Sequence, residues 1–238
     1  MSEAHQVVGP AEPILHHHYV TVEQENEACT LGIWLFLAQE IMFFGGLFGA
    51  YGVYRMKFPL AWAEGSHQLS GIGHGSAGMM FGTLNTSVLL LSSLTMAMCV
   101  YSTQHSKWKQ QNLYMIATMF LGAVFLFIKF YFEWTAKYEH GLIPGALWDP
   151  EKQRHANIFL EDPAHTQMFF VCYFIMTSMH ALHIIIGIGV GLWLLWGSFA
   201  KKYGENRFLP IEFFGFYWHF VDVVWLFLFT SVYWWGGS

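Results

Sequence analysis

The longest stretches of this sequence without a charged residue determine what the chain can fold into. Residues 75–101 contain no Asp, Glu, Lys or Arg, and neither do residues 166–200. Both stretches exceed the roughly 20 apolar residues that a helix needs to cross the hydrocarbon core of a bilayer. Only helices and closed barrels satisfy all their backbone hydrogen bonds in lipid, so these stretches are read as membrane-spanning helices.

Three further stretches carry very few charges. Residues 31–54 contain only Glu40, residues 113–134 only Lys129 and Glu133, and residues 213–235 only Asp222. The sequence therefore predicts an all-α, polytopic membrane protein, a bundle of five transmembrane helices at about 31–54, 75–101, 113–134, 166–200 and 213–235.

The domain organisation follows from the same pattern. Residues 28–238 are assigned to a single five-helix membrane domain, and residues 1–27 to a polar amino-terminal tail that contains glutamates but no lysine or arginine. Charged residues make up 11% of the chain, whereas soluble domains contain about 25%. The net charge is −5 and the only basic cluster is Lys201-Lys202, so a nucleic-acid partner is not expected.

The distribution of lysine and arginine predicts the orientation. An odd number of spans places the two termini on opposite sides, and the basic residues are divided equally between the sides. The connections on the amino-terminal side, 102–112 and 201–212, are short, and short loops count most in the positive-inside rule. We therefore expect a cytoplasmic amino terminus and an external carboxyl terminus.

Glu40 is near the middle of the first span, where an isolated carboxylate is costly. Two interpretations stay open: a proton-related role, or a neutral acid hydrogen-bonded to a neighbouring helix. Gly45, Gly46, Gly49 and Ala50 follow at the small-xxx-small spacing of close helix contacts. This pattern predicts that Glu40 faces a neighbouring helix.

Two other polar pairs are found in the spans. Lys129 and Glu133 are four residues apart, which favours a structural ion pair near the membrane surface over a proton relay. His219 and Asp222 are three residues apart and can share a proton or fix the histidine tautomer, although structural hydrogen bonding is favoured over catalysis.

His180 and His183 also lie within a span. At this spacing both project from one helix face and cannot bind opposite sides of one haem iron. The sequence offers no closely spaced set of further ligands, so we expect no metal or haem site in this chain. Gly187 and Gly191 continue the same face and predict a helix contact there.

Four motifs together resemble subunit III of the haem-copper cytochrome c oxidases. They are LGIWLFLAQEIMFFGG at 31–46, LNT with LLLSS at 84–93, MHALHIIIG at 179–187, and above all YWHFVDVVWLFLF at 217–229 with YWWG at 233–236. The resemblance covers all five predicted spans, from about Leu31 to the carboxyl end.

The resemblance implies both architecture and role. The family has a long form with seven helices and a shorter bacterial form with five, and this chain is similar to the shorter one. Such a subunit has no catalytic centre: haem and copper reside in partner subunits I and II, subunit III packs against subunit I, and phospholipid is bound. Its implied roles are to stabilise subunit I and to support proton uptake while the oxidase reduces O2 to water and pumps protons. The implied location is the bacterial cytoplasmic (inner) membrane.

The resemblance also assigns individual residues. The intramembrane glutamate of the family corresponds to Glu40, and its third-span glutamate to Glu133. Together with Asp222 these are the proton-related candidates. The remaining polar positions, with structural or lipid-related roles, are His180, His183, Glu212 and His219, to which we add Lys129, a residue outside the family pattern.

Three alternatives remain. The same subunit could serve a quinol oxidase or a nitric-oxide reductase complex, because the electron donor is chosen in other subunits. A small proton-coupled transporter could use Glu40, Lys129 and Asp222. A free-standing cytochrome is disfavoured by the histidine spacing. If the chain is such an oxidase subunit, the long outer connection 135–165 is a candidate docking site for other subunits.

Overall fold

The computed structural model describes residues 21–71, 77–156, 158, 160–204 and 207–234. This part of the chain contains no strand, and five of its helices are long and apolar enough to cross a membrane. The prediction of an all-α, multi-pass membrane fold is confirmed. Residues 1–20 of the predicted tail lie outside the described residues.

The helices follow the predicted spans but differ at their ends. Their bounds are α1 Val22–Lys57, α2 Pro59–Gly71, α3 Ala77–Gln104, α4 Trp108–Phe127, α5 Thr135–Glu139, α6 Pro150–His155, α7 Pro163–Phe199 and α8 Leu209–Phe229. Two π-helices, Ile128–Trp134 between α4 and α5 and Thr230–Trp234 after α8, complete the third and fifth spans.

Polar caps explain why the helices run past the apolar stretches. The Thr21 hydroxyl accepts a hydrogen bond from the Gln24 backbone N–H at 3.2 Å, so α1 begins at Val22, within the predicted tail and ahead of the apolar stretch at 31–54. Similarly, the Asp162 carboxylate accepts from the His165 backbone N–H at 3.3 Å and starts α7. A second hydrogen bond, from the His165 ring, holds the pKa of Asp162 below its usual value.

Helix α2 was not anticipated from the sequence, which assigned residues 55–74 to a connection. Trp62 and Leu69 of α2 are fully buried in the core. The Ser66 hydroxyl donates to the Val232 carbonyl at 2.9 Å, and the Tyr51 hydroxyl of α1 donates to the Ser231 carbonyl at 2.9 Å. These bonds satisfy carbonyl groups at the end of the last span, where a helix leaves them without partners.

Four of the spans form the core of the bundle and the fifth lies at its side. Helix α3 packs against α4 and α8, and α7 packs against the same two helices. Helix α1 contacts α7 and α8 more sparsely. In the most apolar part of each span, 50% of residues are buried in α8 but 11% in α1. Most of the apolar surface of α1 is therefore available to lipid or to another chain.

Trp218 is one of the largest fully buried side chains of the bundle. Its indole N–H donates to the Ser92 hydroxyl at 2.8 Å. A Cβ atom placed on Gly122 or on Gly187 would lie 2.9 Å from the Trp218 ring, so α4 and α7 approach α8 only because both positions are glycine. The predicted contact face at Gly187 and Gly191 is confirmed.

The contact face predicted at Gly45, Gly46 and Gly49 is wrong for contacts within this chain. Among the described residues, nothing lies within 4 Å of a Cβ atom built on any of these glycines. Helical periodicity turns Glu40 and Phe44 inward, where both are buried, and it turns the glycines to the opposite side of α1. Glu40 does face a neighbouring helix, but for this different reason.

Gly187→Ala should lower the thermal unfolding midpoint, because the added methyl group meets the immobile Trp218 ring. Overpacking of this kind costs about 1–3 kcal/mol. Gly189→Ala is the matched control, since nothing described lies within 4 Å of its Cβ position, and alanine favours the helix. Equal melting of the two variants would contradict the packing described here.

Candidate functional site

Six of the site residues predicted from the sequence fall into three separate groups. The first joins Glu40 to His183, the second is built around Lys129 and Glu133, and the third contains His219 and Asp222. Glu212 lies apart from all three, half-buried in the first turn of α8.

Glu40 and His183 connect α1 to α7. The His183 Nε2 atom lies 3.0 Å from Glu40 Oε2, and the two side chains are 14% and 12% exposed. The other ring nitrogen, Nδ1, lies 2.7 Å from the Met179 carbonyl oxygen. A carbonyl only accepts hydrogen bonds, so Nδ1 carries a hydrogen and Nε2 faces the carboxyl group.

This geometry allows Glu40 and His183 to share one proton. A neutral Glu40 can donate to Nε2, or a protonated His183 can donate to the carboxylate. Both arrangements have zero net charge, which suits a site within apolar helices. Tyr217 of α8 donates to the His183 carbonyl at 2.8 Å and adds a third helix to the site.

The second group contains the ion pair predicted between Lys129 and Glu133. Lys129 Nζ lies 2.5 Å from Glu133 Oε2, and the side chains are 1% and 2% exposed, so the pair is inside the bundle. The Tyr173 and Tyr233 hydroxyls donate to the same Oε2 atom at 3.0 and 2.5 Å. Lys129 in turn donates to these hydroxyls at 3.1 and 3.2 Å.

Aromatic rings surround the Lys129 ammonium. Its Nζ atom lies 5.1 Å from the centre of the Tyr173 ring, 4.8 Å from Trp225 and 5.6 Å from Tyr233, distances typical of cation–π contacts. Both members of the ion pair lie in the π-helix Ile128–Trp134, where their side chains are buried.

The third group differs from the prediction. The His219 Nδ1 atom pairs with the Ser93 hydroxyl of α3 at 2.7 Å. Neither carboxyl oxygen of Asp222 has a hydrogen-bond partner among the described residues, although Ser93 is beside it. The hydrogen bond that the spacing allowed between His219 and Asp222 is therefore absent, and His219 is paired with Ser93 of α3 instead.

His180 is fully buried on α7 between the rings of Phe125 and Trp225. It does not contact Glu40. Within the described part of the chain, no group of three or more His, Cys, Asp or Glu residues is arranged to hold a metal ion.

Comparison with known proteins identifies the family. The sequence model of the family described as cytochrome c oxidase subunit III matches residues 9–140 and 159–237. This chain belongs to that family. The matched ranges include the Glu40–His183 pair, the Lys129 group and the whole of α8.

Individual relatives agree with the family assignment. Cytochrome c oxidase subunit 3 of Loxodonta africana is 31% identical over 219 residues, which is 92% of this chain and 73% of the relative. The protein of the same name from Dugong dugon is 30% identical over 220 residues with the same coverage. That of Locusta migratoria is 29% identical over 213 residues, 86% of this chain and 68% of the relative.

Several members of the buried groups were not found from the sequence. Ser93 and Tyr233 lie in motifs that carry the family resemblance, but neither they nor Tyr173 were predicted as site residues. The Glu40–His183 contact joins residues 143 positions apart. The one available signal was physical: a carboxyl group and a histidine in apolar spans each require a partner.

Lys129→Met should destabilise the protein strongly, because Glu133 would keep a buried charge without its cation. Removing one member of a buried pair costs about 3–5 kcal/mol. Adding Glu133→Gln removes that charge and should recover part of the loss in thermal melting. Lys109→Met, an exposed change on α4, is the control. A double variant less stable than Lys129→Met alone would contradict the ion-pair account.

Proposed function

We propose that the chain is the non-redox subunit III of a bacterial haem-copper terminal oxidase, which reduces O2 to water and pumps protons. Its role is to stabilise subunit I and to support proton uptake. The family membership supports the oxidase assignment. The proton-related role rests on one observation, the hydrogen-bonded Glu40–His183 pair between α1 and α7.

The chemistry of this pair suits proton exchange with a partner subunit. The pair is neutral when it holds one proton, and a bound or released proton changes its charge by one unit. It lies on α1, the least buried span, and remains partly accessible at 12–14% exposure. A neighbouring subunit packed on α1 can therefore approach the pair without opening the bundle.

The same proposal assigns location and cofactors. The chain spans the bacterial inner membrane with its amino terminus in the cytoplasm. Haem and copper are held by subunits I and II, and this chain binds phospholipid on its apolar surface. The large apolar side chains that α1 exposes support contact with lipid. They are Leu31, Trp34, Leu35, Ile41, Met42, Val53 and Met56.

Glu40→Gln should leave assembly intact but slow proton uptake or shorten the active lifetime of the purified oxidase. The amide cannot exchange a proton with His183. Glu27→Gln makes the same substitution at an exposed position of α1, so this variant should behave as the parent does. The measurements are proton-pumping stoichiometry and the rate of inactivation during turnover. Unchanged values for Glu40→Gln in both would exclude a proton-related role for this residue.

A second substitution tests whether the two residues act as one unit. His183→Gln alone should produce the same defect as Glu40→Gln, and the double variant should be no worse than either single variant, since one shared proton is lost in each case. The same two assays provide the comparison. Additive defects would show that Glu40 and His183 act independently.

A further inference from the structure

His180 is a fully buried polar residue that lies between two aromatic rings. The residue is 0% exposed, with the Phe125 ring centre 5.5 Å away and the Trp225 ring centre 5.2 Å away. Neither of its ring nitrogens has a hydrogen-bond partner among the residues that the structure describes. His183, three residues further on, differs because its Nδ1 donates to a carbonyl of its own helix.

The aromatic neighbours cannot satisfy both nitrogens. A ring N–H pointing at an aromatic face makes a weak hydrogen bond. In a neutral imidazole, however, the other nitrogen is an acceptor and requires a donor. Neither Phe125 nor the face of Trp225 offers one. Buried polar atoms that lack a protein partner are commonly satisfied by internal water.

The position of His180 indicates where such water would bind. The Trp225 ring contacts both His180 and Lys129. Its centre lies 5.2 Å from the centre of the His180 ring and 4.8 Å from the Lys129 Nζ atom. In the Lys129 group, the Glu133 Oε1 atom is also buried and has no partner within the described part of the chain. Unsatisfied polar atoms thus occur in both neighbouring groups.

We propose that His180 binds internal water, which hydrogen-bonds to its ring and joins it to the Lys129–Glu133 group. The ligand is water, and the site is built by α7, α8 and the π-helix Ile128–Trp134. This water extends the polar network of the Lys129 group along α7 to within one helical turn of the Glu40–His183 pair. The inference concerns residues of this chain alone and does not depend on the oxidase assignment.

Thermal melting of His180 variants in the intact complex provides the first test. His180→Phe keeps an aromatic ring but leaves the water without its partner, so we expect a midpoint lowered by about 2–4 °C or more. His180→Gln retains a donor and an acceptor and should lie closer to the parent. Met176→Leu, an apolar exchange one turn away in the same buried face, is the control.

A dry site predicts the reverse, because replacing an unsatisfied histidine by phenylalanine then stabilises the protein. His180→Phe with a midpoint equal to or above the parent would overturn the proposal. The second measurement needs no variant to fold: a cryo-EM map of the parent complex that resolves internal water. Density within hydrogen-bonding distance of a His180 nitrogen is the expected result, and its absence in such a map would also overturn the proposal.

Discussion

The Lys129 ammonium is the point at which three spans of the bundle are tied together. It is contributed by the third span, and its partners Tyr173 and Tyr233 come from the fourth and fifth. A charged group in an apolar bundle must be paired, and here one carboxylate, two hydroxyls and three rings enclose it. Glu133 lies in the first π-helix and Tyr233 in the second, so both π-helices contribute side chains to this group.

The contact between α3 and α8 is also held by polar bonds, but these join uncharged groups. The Trp218 indole donates to Ser92, and the Trp225 indole donates to Thr86 at 3.1 Å. In lipid the hydrophobic effect does not drive helices together, so close packing and hydrogen bonds must do so. Trp218 supplies both, because glycines on α4 and α7 admit its ring. Helix α1 packs more sparsely, and its contact with α7 includes the Glu40–His183 hydrogen bond. Glu40 therefore helps to hold α1 in place and is also the residue proposed to exchange a proton.

Much of the fold was predictable, because uncharged stretches of sufficient length leave few alternatives in a membrane. The ends of the helices were harder to predict. Helix α2 was missed because it is too short to cross the membrane and is stabilised by packing on α7.

The ion pair of Lys129 and Glu133 was predictable from its four-residue spacing. The pair of Glu40 and His183 was not, because spacing along the chain carries no information about which helices touch. The predicted glycine contact on α1 failed for a related reason. Small residues show that close approach is sterically allowed, but not that a helix of the same chain makes it.

We propose that this chain works as a subunit of an oxidase, and that other chains of the oxidase hold the redox centres. The most direct test is to tag the chain in its native host, solubilise the membrane gently, and identify the co-purifying proteins by mass spectrometry. The account predicts a haem-copper subunit I in stable association, and the nature of its companion subunit would identify cytochrome c or quinol as the electron donor. Recovery of a stable chain without any haem-copper partner would contradict the account.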